Sequence, residues 1–213
     1  MKLDPCGHLE QLLERYPPLA VCRESIWQGF QAIKAAFAAG GKLLVCGNGG
    51  SAADAEHIVG ELMKGFLRER AVGDEWVEKF REIDTSRGPQ LARALQLGLP
   101  AVALSAHTAL NTAVGNDNGG DLIFAQQVFV LGQPEDVLLG ITTSGNSTNV
   151  VKAMITAKAK GMTTVGLTGA NQGEVASFCD VQIRVPAAST PVIQEYHLPV
   201  YHGLCAMLEA EFF

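Results

Sequence analysis

Two short polar runs, each directly after an apolar stretch, are the clearest sites for chemistry in this sequence. Residues 47–57 read GNGGSAADAEH after KLLVC, and residues 142–147 read TTSGNS after DVLLGI. Glycine lets the backbone approach a ligand, and the free N–H groups and dipole at the start of a following helix favour an anion. Two such turns predict a phosphorylated small molecule held between them.

The second turn offers hydroxyl groups where the first offers glycines. Four of its residues carry a hydroxyl, namely Thr142, Thr143, Ser144 and Ser147. Either Asn146 or Ser147 can cap the helix that follows. Hydroxyls and backbone N–H groups together can bind a phosphate without Lys or Arg. An ordinary Ser- and Asn-rich turn with a helix cap is the alternative interpretation.

A histidine and a carboxylate follow the first turn on its expected helix. His57 and Glu61 are four residues apart, so they share one helix face. They lie roughly two turns from the residues at 47–51. A His and a carboxylate with this spacing can bind one metal ion. A surface His–Glu pair without function is the alternative, and both interpretations stay open.

The C-terminal run TPVIQEYHLPVYHGL carries Gln194, Glu195, His197 and His202. Gln194 and His202 are eight residues apart, so on a continuous helix they are separated by ~12 Å along the axis. Pro199 between them is expected to kink or loosen the helix. Either the kink brings the two side chains together, or one of them serves a neighbouring subunit. We favour the second, which makes the active site an interface feature, and we expect His197 to be a packed or surface residue.

Apolar runs of strand length alternate with helix-like segments, which predicts βαβ units and a parallel sheet. Strands are predicted at 42–46, 101–105, 136–141, 163–168 and 181–185. Helices are predicted at 8–16, 20–39, 51–66, 107–127, 146–160, 171–178 and from about 190 to the end. We therefore expect an α/β three-layer sandwich with a five-stranded parallel sheet, whose ligands bind beyond the carboxyl ends of the strands. The charged segment 67–96 is expected to be a surface insertion, or else a lid or subunit contact.

Composition excludes several classes of protein. The 213 residues carry a net charge of −6 with no basic stripe, so nucleic acid is not the expected ligand. No run of 18 apolar residues predicts a membrane span, and the N-terminus lacks the apolar core of a signal peptide. Five scattered cysteines without a CxxC pair suit a reducing cytoplasm.

Competing ligand motifs are weak or missing. GNGGSA at 47–52 satisfies G-x-G-x-x-A, but the acidic residue that a dinucleotide site needs about 20 residues later is replaced by the charged segment. Neither a GxxxxGK[ST] loop nor a GxSxG elbow occurs. We therefore expect no nucleotide cofactor, although a dehydrogenase-like domain stays a third alternative that NAD(P) binding would reveal.

In combination, these motifs resemble the sugar isomerase (SIS) fold and, within it, the phosphoheptose isomerase family. The resemblance runs from about 30 to 213 and rests on GNGGS, A-x-H-x-x-x-E, GND at 115–117, EDVLLGITTSGNS, and IQExH with a His five residues further on. It implies a flavodoxin-like SIS fold with a long C-terminal helix. The whole chain, 1–213, would be a single SIS domain with an N-terminal helical extension at 1–40 and a charged helical insertion at about 67–96.

The resemblance also implies roles for individual residues. The implied substrate and phosphate contacts are Asn48, Gly49, Gly50, Ser51, Asn116, Asp117, Thr142, Thr143, Ser144, Ser147 and Gln194. The implied metal ligands, for one zinc ion, are His57, Glu61, Gln194 and His202. The implied acid–base pair is Glu61 and His202. The chain departs from the family pattern at Thr142, where Ser is usual, at Pro191, where Asp is frequent, and in the length of the insertion.

The function implied is that of an aldose–ketose isomerase in a cytoplasmic homotetramer. It would convert sedoheptulose 7-phosphate into D-glycero-D-manno-heptose 7-phosphate through an enediol. The alternative is a non-catalytic SIS protein that senses sugar phosphates or acts as a protein-binding adaptor. Adaptors of that kind tend to lack the His, Glu, Gln and His set that this chain carries, which favours the enzyme.

Overall fold

A computed structural model describes residues 4–213, so the first three residues of the 1–40 extension lie outside the described part. Five parallel strands form one sheet in the order β2-β1-β3-β4-β5. They are β1 (Leu43–Gly47), β2 (Ala101–Ala103), β3 (Val137–Thr142), β4 (Thr163–Thr168) and β5 (Val181–Arg184). The helices of residues 4–213 are α1 (Pro5–Arg15), α2 (Arg23–Ala38), α3 (Gly50–Met63), α4 (Asp74–Ile83), α5 (Gly88–Ala94), α6 (Thr108–Asp117), α7 (Ile123–Leu131), α8 (Thr148–Ala159) and α9 (Thr190–Phe212).

The sheet is the middle layer of three, because successive strand residues bury on opposite faces. In β1, Leu43 and Val45 join the core under α1, α2, α3 and α9. Leu44 and Cys46 join the core under α7 and α8. The predicted α/β three-layer sandwich with a five-stranded parallel sheet is therefore confirmed.

The strand order creates a crevice beside the central strand. The chain passes from β1 to β2 on one side and then returns to place β3 on the other side of β1. Connections that leave in opposite directions open a gap at the carboxyl ends of the two strands, where ligands bind in such sheets. Both polar turns lie there, since residues 47–51 follow β1 and residues 142–147 follow β3.

Three predicted helices differ from those observed. The helix predicted at 107–127 is divided into α6 and α7, because Gly119 adopts a left-handed φ of 102° that a continuing helix cannot contain. The segment predicted at 171–178 is helical only as a short 3₁₀ turn over Glu174–Phe178. The kink predicted at Pro199 does not end the last helix, since α9 is one helix of 23 residues with Pro199 inside it.

A buried ion pair fastens the end of α3 to α9. The side chains of Arg70 and Glu209 are 0% and 1% exposed, and Arg70 Nε donates to Glu209 Oε1 over 2.9 Å. The Arg70 guanidinium also donates to the carbonyls of Glu61 and Leu62 at the end of α3. Glu209 accepts hydrogen bonds from the backbone N–H groups of Phe66 and Leu67, so the carboxylate is fully paired.

The charged segment 67–96 forms α4 and α5, which pack against each other. On α4 only Val77 is buried, whereas Trp76 and Ile83 are exposed. The helical character of this segment is thus observed, whereas its being an insertion, a lid or a subunit contact stays a prediction. None of the helices between residues 4 and 213 has the length and apolar character that crossing a bilayer would need.

Candidate active site

The first turn presents an open helix start to the crevice. Gly49 has a φ of 57°, a left-handed conformation that glycine adopts without strain, and α3 begins at the next residue. No side chain caps α3 within the described residues, but the N–H groups of Ser51, Ala52 and Ala53 donate to the carbonyls of Asn48 and Gly49. The Gly50 N–H is therefore the donor left open at this helix start. Asn48, Gly49 and Gly50 are exposed, whereas Ser51 is buried behind them.

The second turn packs against the loop at residues 173–174, which stabilises its conformation. Gly145 has a φ of 73°, and a Cβ there would lie 2.9 Å from the Gly173 Cα, so only glycine fits against this backing loop. The Asn146 side chain accepts a hydrogen bond from the Glu174 N–H over 2.8 Å. The cap position of α8, Ser147, makes no side-chain cap hydrogen bond, so this helix also starts open to the crevice.

The four hydroxyls of the second turn do not share one role. Thr142 is buried, and its hydroxyl lies 2.9 Å from the hydroxyl of Ser147, so this pair organises the turn internally. Ser144 is exposed and accepts a hydrogen bond from the Asn146 N–H over 3.1 Å. Thr143 is half-buried, and its carbonyl accepts from the Gly169 N–H. Ser144 is therefore the hydroxyl most available to a ligand.

A reciprocal amide pair joins the two turns, and sequence reasoning missed it. Asn48 and Asn149 each donate from Nδ2 to the other's Oδ1, over 2.9 Å and 2.8 Å. Asn149 lies in the first turn of α8, so the pair fixes the two helix starts relative to each other. The recurrence of Asn two residues after the SGNS run was the available signal.

His57, Glu61 and His202 meet about two helical turns from the first turn. The His57 Nε2 atom lies 3.1 Å from Glu61 Oε1 and 3.4 Å from His202 Nε2. Glu61 Oε2 accepts a hydrogen bond from Lys64 Nζ over 3.2 Å. Burial and the neighbouring His57 lower the pKa of His202, although the Glu61 charge opposes the shift. His202 is consequently neutral and able to accept a proton near neutral pH.

A tyrosine and an aspartate stand behind this cluster. The Tyr201 hydroxyl lies 3.0 Å from His57 Nδ1, and Asp54 is close enough for the two groups to influence each other's pKa. Burial raises the pKa of Asp54, while Tyr201 and His57 partly oppose that shift. Burial and the Asp54 charge raise the pKa of Tyr201, so the hydroxyl keeps its proton. Neither residue stood out in the sequence, because an aromatic on an apolar helix is usually part of the core.

The two helices that carry the site, α3 and α9, run side by side in one direction. Gln194 packs on Gly50, where a Cβ would lie 2.5 Å from its Nε2 atom, while His202 reaches His57 two turns further on. His202 thus contacts His57 of its own chain, and a contribution from a neighbouring subunit stays a prediction. Gln194 lies beside the first turn.

Three of the four predicted zinc ligands, His57, Glu61 and His202, lie in contact, and the part of Gln194 stays a prediction. In residues 4–213, no group of three His, Cys, Asp or Glu side chains stands ready to hold a metal ion. The donor types nevertheless fit, since imidazole and carboxylate are zinc ligands, and bonds of about 2.0–2.1 Å place tetrahedral ligand atoms about 3.3 Å apart. The distances from His57 Nε2 to Glu61 and His202 match that spacing.

His197 is buried, as the alternative of a packed residue predicted. Its side chain is 0% exposed, and neither ring nitrogen makes a hydrogen bond of normal geometry within the described residues. Burial lowers its pKa to about 4, although the backbone of Thr168 opposes the shift. His197 is therefore neutral at pH 7 and belongs to the core beneath the site.

Asn116 and Asp117 lie at the exposed end of α6 and pair with each other. The Asn116 Nδ2 atom donates to Asp117 Oδ1 over 2.8 Å. Within the described residues, neither side chain is hydrogen-bonded to the two polar turns. Their predicted contact with substrate stays a prediction.

A cavity of about 190 Å³ opens on the far side of His202, between α1 and α9. Its polar lining comes from His8, Gln11 and Arg15, together with His202 itself. No sequence motif had pointed to these α1 residues. They reach the site because α1 packs along α9.

Comparison with known protein families identifies the class to which this fold and site belong. The family described as SIS domain matches residues 19–94 and 85–169, which together span more than half of the chain. The chain therefore belongs to the SIS domain family. Within that class, the phosphoheptose isomerase of Rhodospirillum rubrum is 43% identical over 191 residues, covering 90% of this chain and 88% of the relative. The phosphoheptose isomerase of Burkholderia pseudomallei is 44% identical over 179 residues, covering 84% and 78%.

Solved structures agree with the sequence relatives. Phosphoheptose isomerase GmhA from Neisseria gonorrhoeae superposes with a TM-score of 0.68 at 35% identity, covering 92% of this chain and 90% of that one. A phosphoheptose isomerase from Francisella tularensis gives a TM-score of 0.71 at 34% identity, covering 87% and 85%. The predicted membership of the phosphoheptose isomerase family and its SIS fold are thereby confirmed, and the chain is an isomerase of phosphosugars.

Proposed function

We propose that this enzyme converts sedoheptulose 7-phosphate into D-glycero-D-manno-heptose 7-phosphate through an enediol. The observation that carries the proposal is the separation of two kinds of group along one helix. The open start of α3 faces the crevice, and His57 lies seven residues further on, about 10 Å along the axis. A substrate that reaches both must carry its phosphate and its carbonyl at opposite ends of a long open chain.

The phosphate end is supported by three features of the crevice. Two helices start there without side-chain caps, the exposed Ser144 hydroxyl adds a donor, and the Asn48–Asn149 pair fixes the geometry. Backbone N–H groups at a helix start bind phosphate well without a cationic side chain. Gln194, which packs on Gly50, adds an amide beside the first turn.

The carbonyl end requires proton transfer between adjacent carbons. Such an isomerisation removes a proton from one carbon, returns it to the next, and moves a second proton between the two oxygens. Glu61 and His202 both face His57 Nε2, so a carboxylate and a neutral imidazole are available to divide these transfers. Glu61 Oε1 contacts His57 Nε2, and Oε2 accepts a hydrogen bond from Lys64 Nζ.

Zinc at this cluster is part of the same proposal. His57, Glu61 and His202 would hold the ion after small side-chain rotations, and Gln194 would have to move from Gly50 to join them. A bound divalent ion supplies a Lewis acid that polarises the substrate's carbonyl and orients its hydroxyls. Glu61 and His202 would each be a weaker proton acceptor while bound to the ion.

We further propose a cytoplasmic homotetramer whose active sites lie at subunit interfaces. Exposed apolar side chains such as Trp76 and Ile83 support association, and five free cysteines suit a reducing compartment.

Asn116 and Asp117 are exposed and bonded to each other, so they are available to a neighbouring copy's crevice. If Asp117 serves a neighbour, mixing inactive Asp117→Ala and Glu61→Gln subunits restores activity. Failure to restore it places Asp117 in its own chain's site or outside any site.

The substrate is tested by incubating the purified protein with a panel of ketose phosphates of five to seven carbons. Each is assayed with added zinc and with a chelator, and the aldose product is detected by NMR. We expect turnover of the seven-carbon ketose, stimulated by zinc and reduced by chelation. Turnover of a shorter ketose alone would reject the heptose assignment. Binding without turnover of any member would favour the non-catalytic sensor or adaptor.

A further inference from the structure

The segment that follows α3 contacts both members of the proposed acid–base pair. The Phe66 ring packs against the His202 imidazole, with ring centroids 5.3 Å apart at an angle of 48°. Four residues later, the Arg70 guanidinium donates to the carbonyls of Glu61 and Leu62 over 3.2 Å and 2.7 Å. One short segment therefore touches the side chain of His202 and the backbone of Glu61.

One buried carboxylate holds this segment in place. Glu209 accepts hydrogen bonds from the N–H groups of Phe66 and Leu67 over 2.9 Å and 2.8 Å, and from Arg70 Nε over 2.9 Å. The side chains of Arg70 and Glu209 are almost fully buried, so water cannot replace these bonds. The backbone that carries Phe66 and the guanidinium of Arg70 are consequently both fixed by Glu209.

The end of α3 needs such support, because Glu61 lies in its last turn. The helix ends at Met63, and Lys64 after it is extended with a φ of −141°. The last carbonyls of a helix have no partner inside the helix, and helix ends fray. Arg70 supplies donors to the carbonyls of Glu61 and Leu62, and so fixes the turn that carries the Glu61 side chain.

The His202 ring needs a neighbour on the side of α1. Its imidazole is only half-buried, and His57 lies perpendicular to it with ring centroids 4.9 Å apart. Both His202 and Phe66 line the cavity between α1 and α9, so a smaller side chain in place of Phe66 would widen that cavity. Without the Phe66 ring, the imidazole therefore has room to rotate away from His57.

We propose that Phe66 is a positioning residue for His202 and that Arg70 is a positioning residue for Glu61, with Glu209 as their common anchor. The inference rests on the proposed function, because the placement of these two side chains matters to the reaction only if they transfer protons. A displacement of about 1 Å can slow such a step about 100-fold. The buried pair that stabilises the fold thus also sets the rate.

Variants of Phe66 test its contact with His202 without exposing a buried charge. Phe66→Leu keeps an apolar side chain but loses the flat ring, whereas Phe66→Tyr keeps the ring. We expect kcat for the ketose phosphate, measured with added zinc, to fall about 10- to 100-fold in Phe66→Leu and to stay close to the wild-type value in Phe66→Tyr. KM is expected to change little, because the start of α3 lies about 10 Å from His57 along the helix axis. Phe178→Leu, a half-buried phenylalanine on the other face of the sheet, is the matched control and keeps the wild-type kcat.

The buried pair is tested by separating stability from rate. The double variant Arg70→Met with Glu209→Leu removes both charges, so part of the stability lost in Arg70→Met alone returns. A merely structural role predicts that kcat recovers with the stability. The positioning role predicts that kcat stays at least about 10-fold below the wild-type value, because no guanidinium reaches the Glu61 carbonyl and no carboxylate holds the Phe66 N–H.

Recovery of the wild-type kcat in the double variant would overturn the roles assigned to Arg70 and Glu209. If the double variant does not fold, Arg70→Lys takes its place, since an ammonium keeps the charge but cannot span Glu209 and the two carbonyls as a planar guanidinium does. We expect the same loss of kcat in Arg70→Lys, and an unchanged kcat there would overturn these roles.

A spectroscopic readout separates the positioning from the proposed reaction. Motion of the His202 ring is measured by ¹³C relaxation at Cε1 in the full-length protein, labelled at histidine and treated with a chelator, and His202→Gln identifies the signal. We expect the order parameter of His202 to fall in Phe66→Leu and not in Phe66→Tyr or Phe178→Leu. An unchanged order parameter or an unchanged kcat in Phe66→Leu would overturn the inference. If the wild-type protein shows no isomerase turnover while the order parameter falls as expected, the proposed function is refuted and the positioning of His202 stands.

Discussion

Burial of His197 makes a quantitative prediction about stability and pH. The ring is fully buried, and its pKa is lowered to about 4 in the folded protein, against about 6.5 in an unfolded chain. At pH 5 an unfolded chain therefore holds a proton on almost every His197 ring, whereas the folded protein holds one on about a tenth. Because the unfolded state binds more protons, the free energy of unfolding falls as the pH falls from 6.5 toward 4.

Integrating that difference from pH 7 to pH 5 gives a loss of about 2 kcal/mol from this one residue. The assay is urea unfolding of the wild-type protein and of His197→Leu at both pH values and one protein concentration, so that contributions of other groups cancel between the two proteins. We expect the wild-type loss to exceed the variant's by about that amount. Equal losses in the two proteins would refute the reasoning. If His197→Leu does not fold, an NMR titration of the wild-type ring decides, and an ordinary pKa near 6.5 would refute it.

Three further predictions concern contacts that support the site. Arg70→Met is expected to lower the free energy of unfolding by about 3–5 kcal/mol in chemical denaturation, because Glu209 would keep a buried charge without its partner. The double variant Arg70→Met with Glu209→Leu should recover part of that loss. A loss below about 1 kcal/mol in the single variant would contradict the pairing. Ser144→Ala is expected to raise the KM for the ketose phosphate roughly five-fold with little change in kcat, as for the loss of one hydrogen bond of about 1 kcal/mol, and an unchanged KM would remove the phosphate role. Asn149→Ala is expected to raise KM by a smaller factor through the loosened Asn48, and a large fall in kcat would point to a different role.

The polar turns could be predicted because their chemistry is local. A strand of continuous apolar residues, a glycine with left-handed φ and an uncapped helix start all lie within a dozen residues of each other, as at Gly49. The layer order followed equally directly from alternating strands and helices. The division at Gly119 was also a local signal, because the run GNDNGGD at 115–121 is typical of a turn, and the prediction of one helix over 107–127 overlooked it.

The arrangement of α9 could not be predicted, because it depends on packing along the whole helix. Pro199 removes one backbone donor, but the helix continues since Val200, Tyr201 and Leu204 bury on α3 and the sheet. Spacing on α9 alone separates Gln194 from His202 by two turns, and nothing local shows that α3 runs beside it at the same pitch. Only that alignment brings His202 to His57 within one chain.

The same limit applies to Tyr201. In sequence it is one more large residue in an apolar helix, and such residues most often fill a core. Its ring is indeed buried, while its hydroxyl meets His57 from a helix 144 positions away. A buried tyrosine generally needs a hydrogen-bond partner, but the sequence does not reveal which one.

Deuterium incorporation during turnover tests the central claim most directly, namely that a phosphosugar is held by the two turns while Glu61 and His202 move protons at its carbonyl end. Sedoheptulose 7-phosphate is incubated with the enzyme in D₂O, and the aldose product is analysed by NMR and mass spectrometry. We predict an aldose phosphate that carries solvent deuterium at C2, formed at least about 100-fold more slowly by Glu61→Gln and by His202→Ala. Wild-type rates in both variants, or no aldose from the zinc-supplied wild-type protein, would contradict the account.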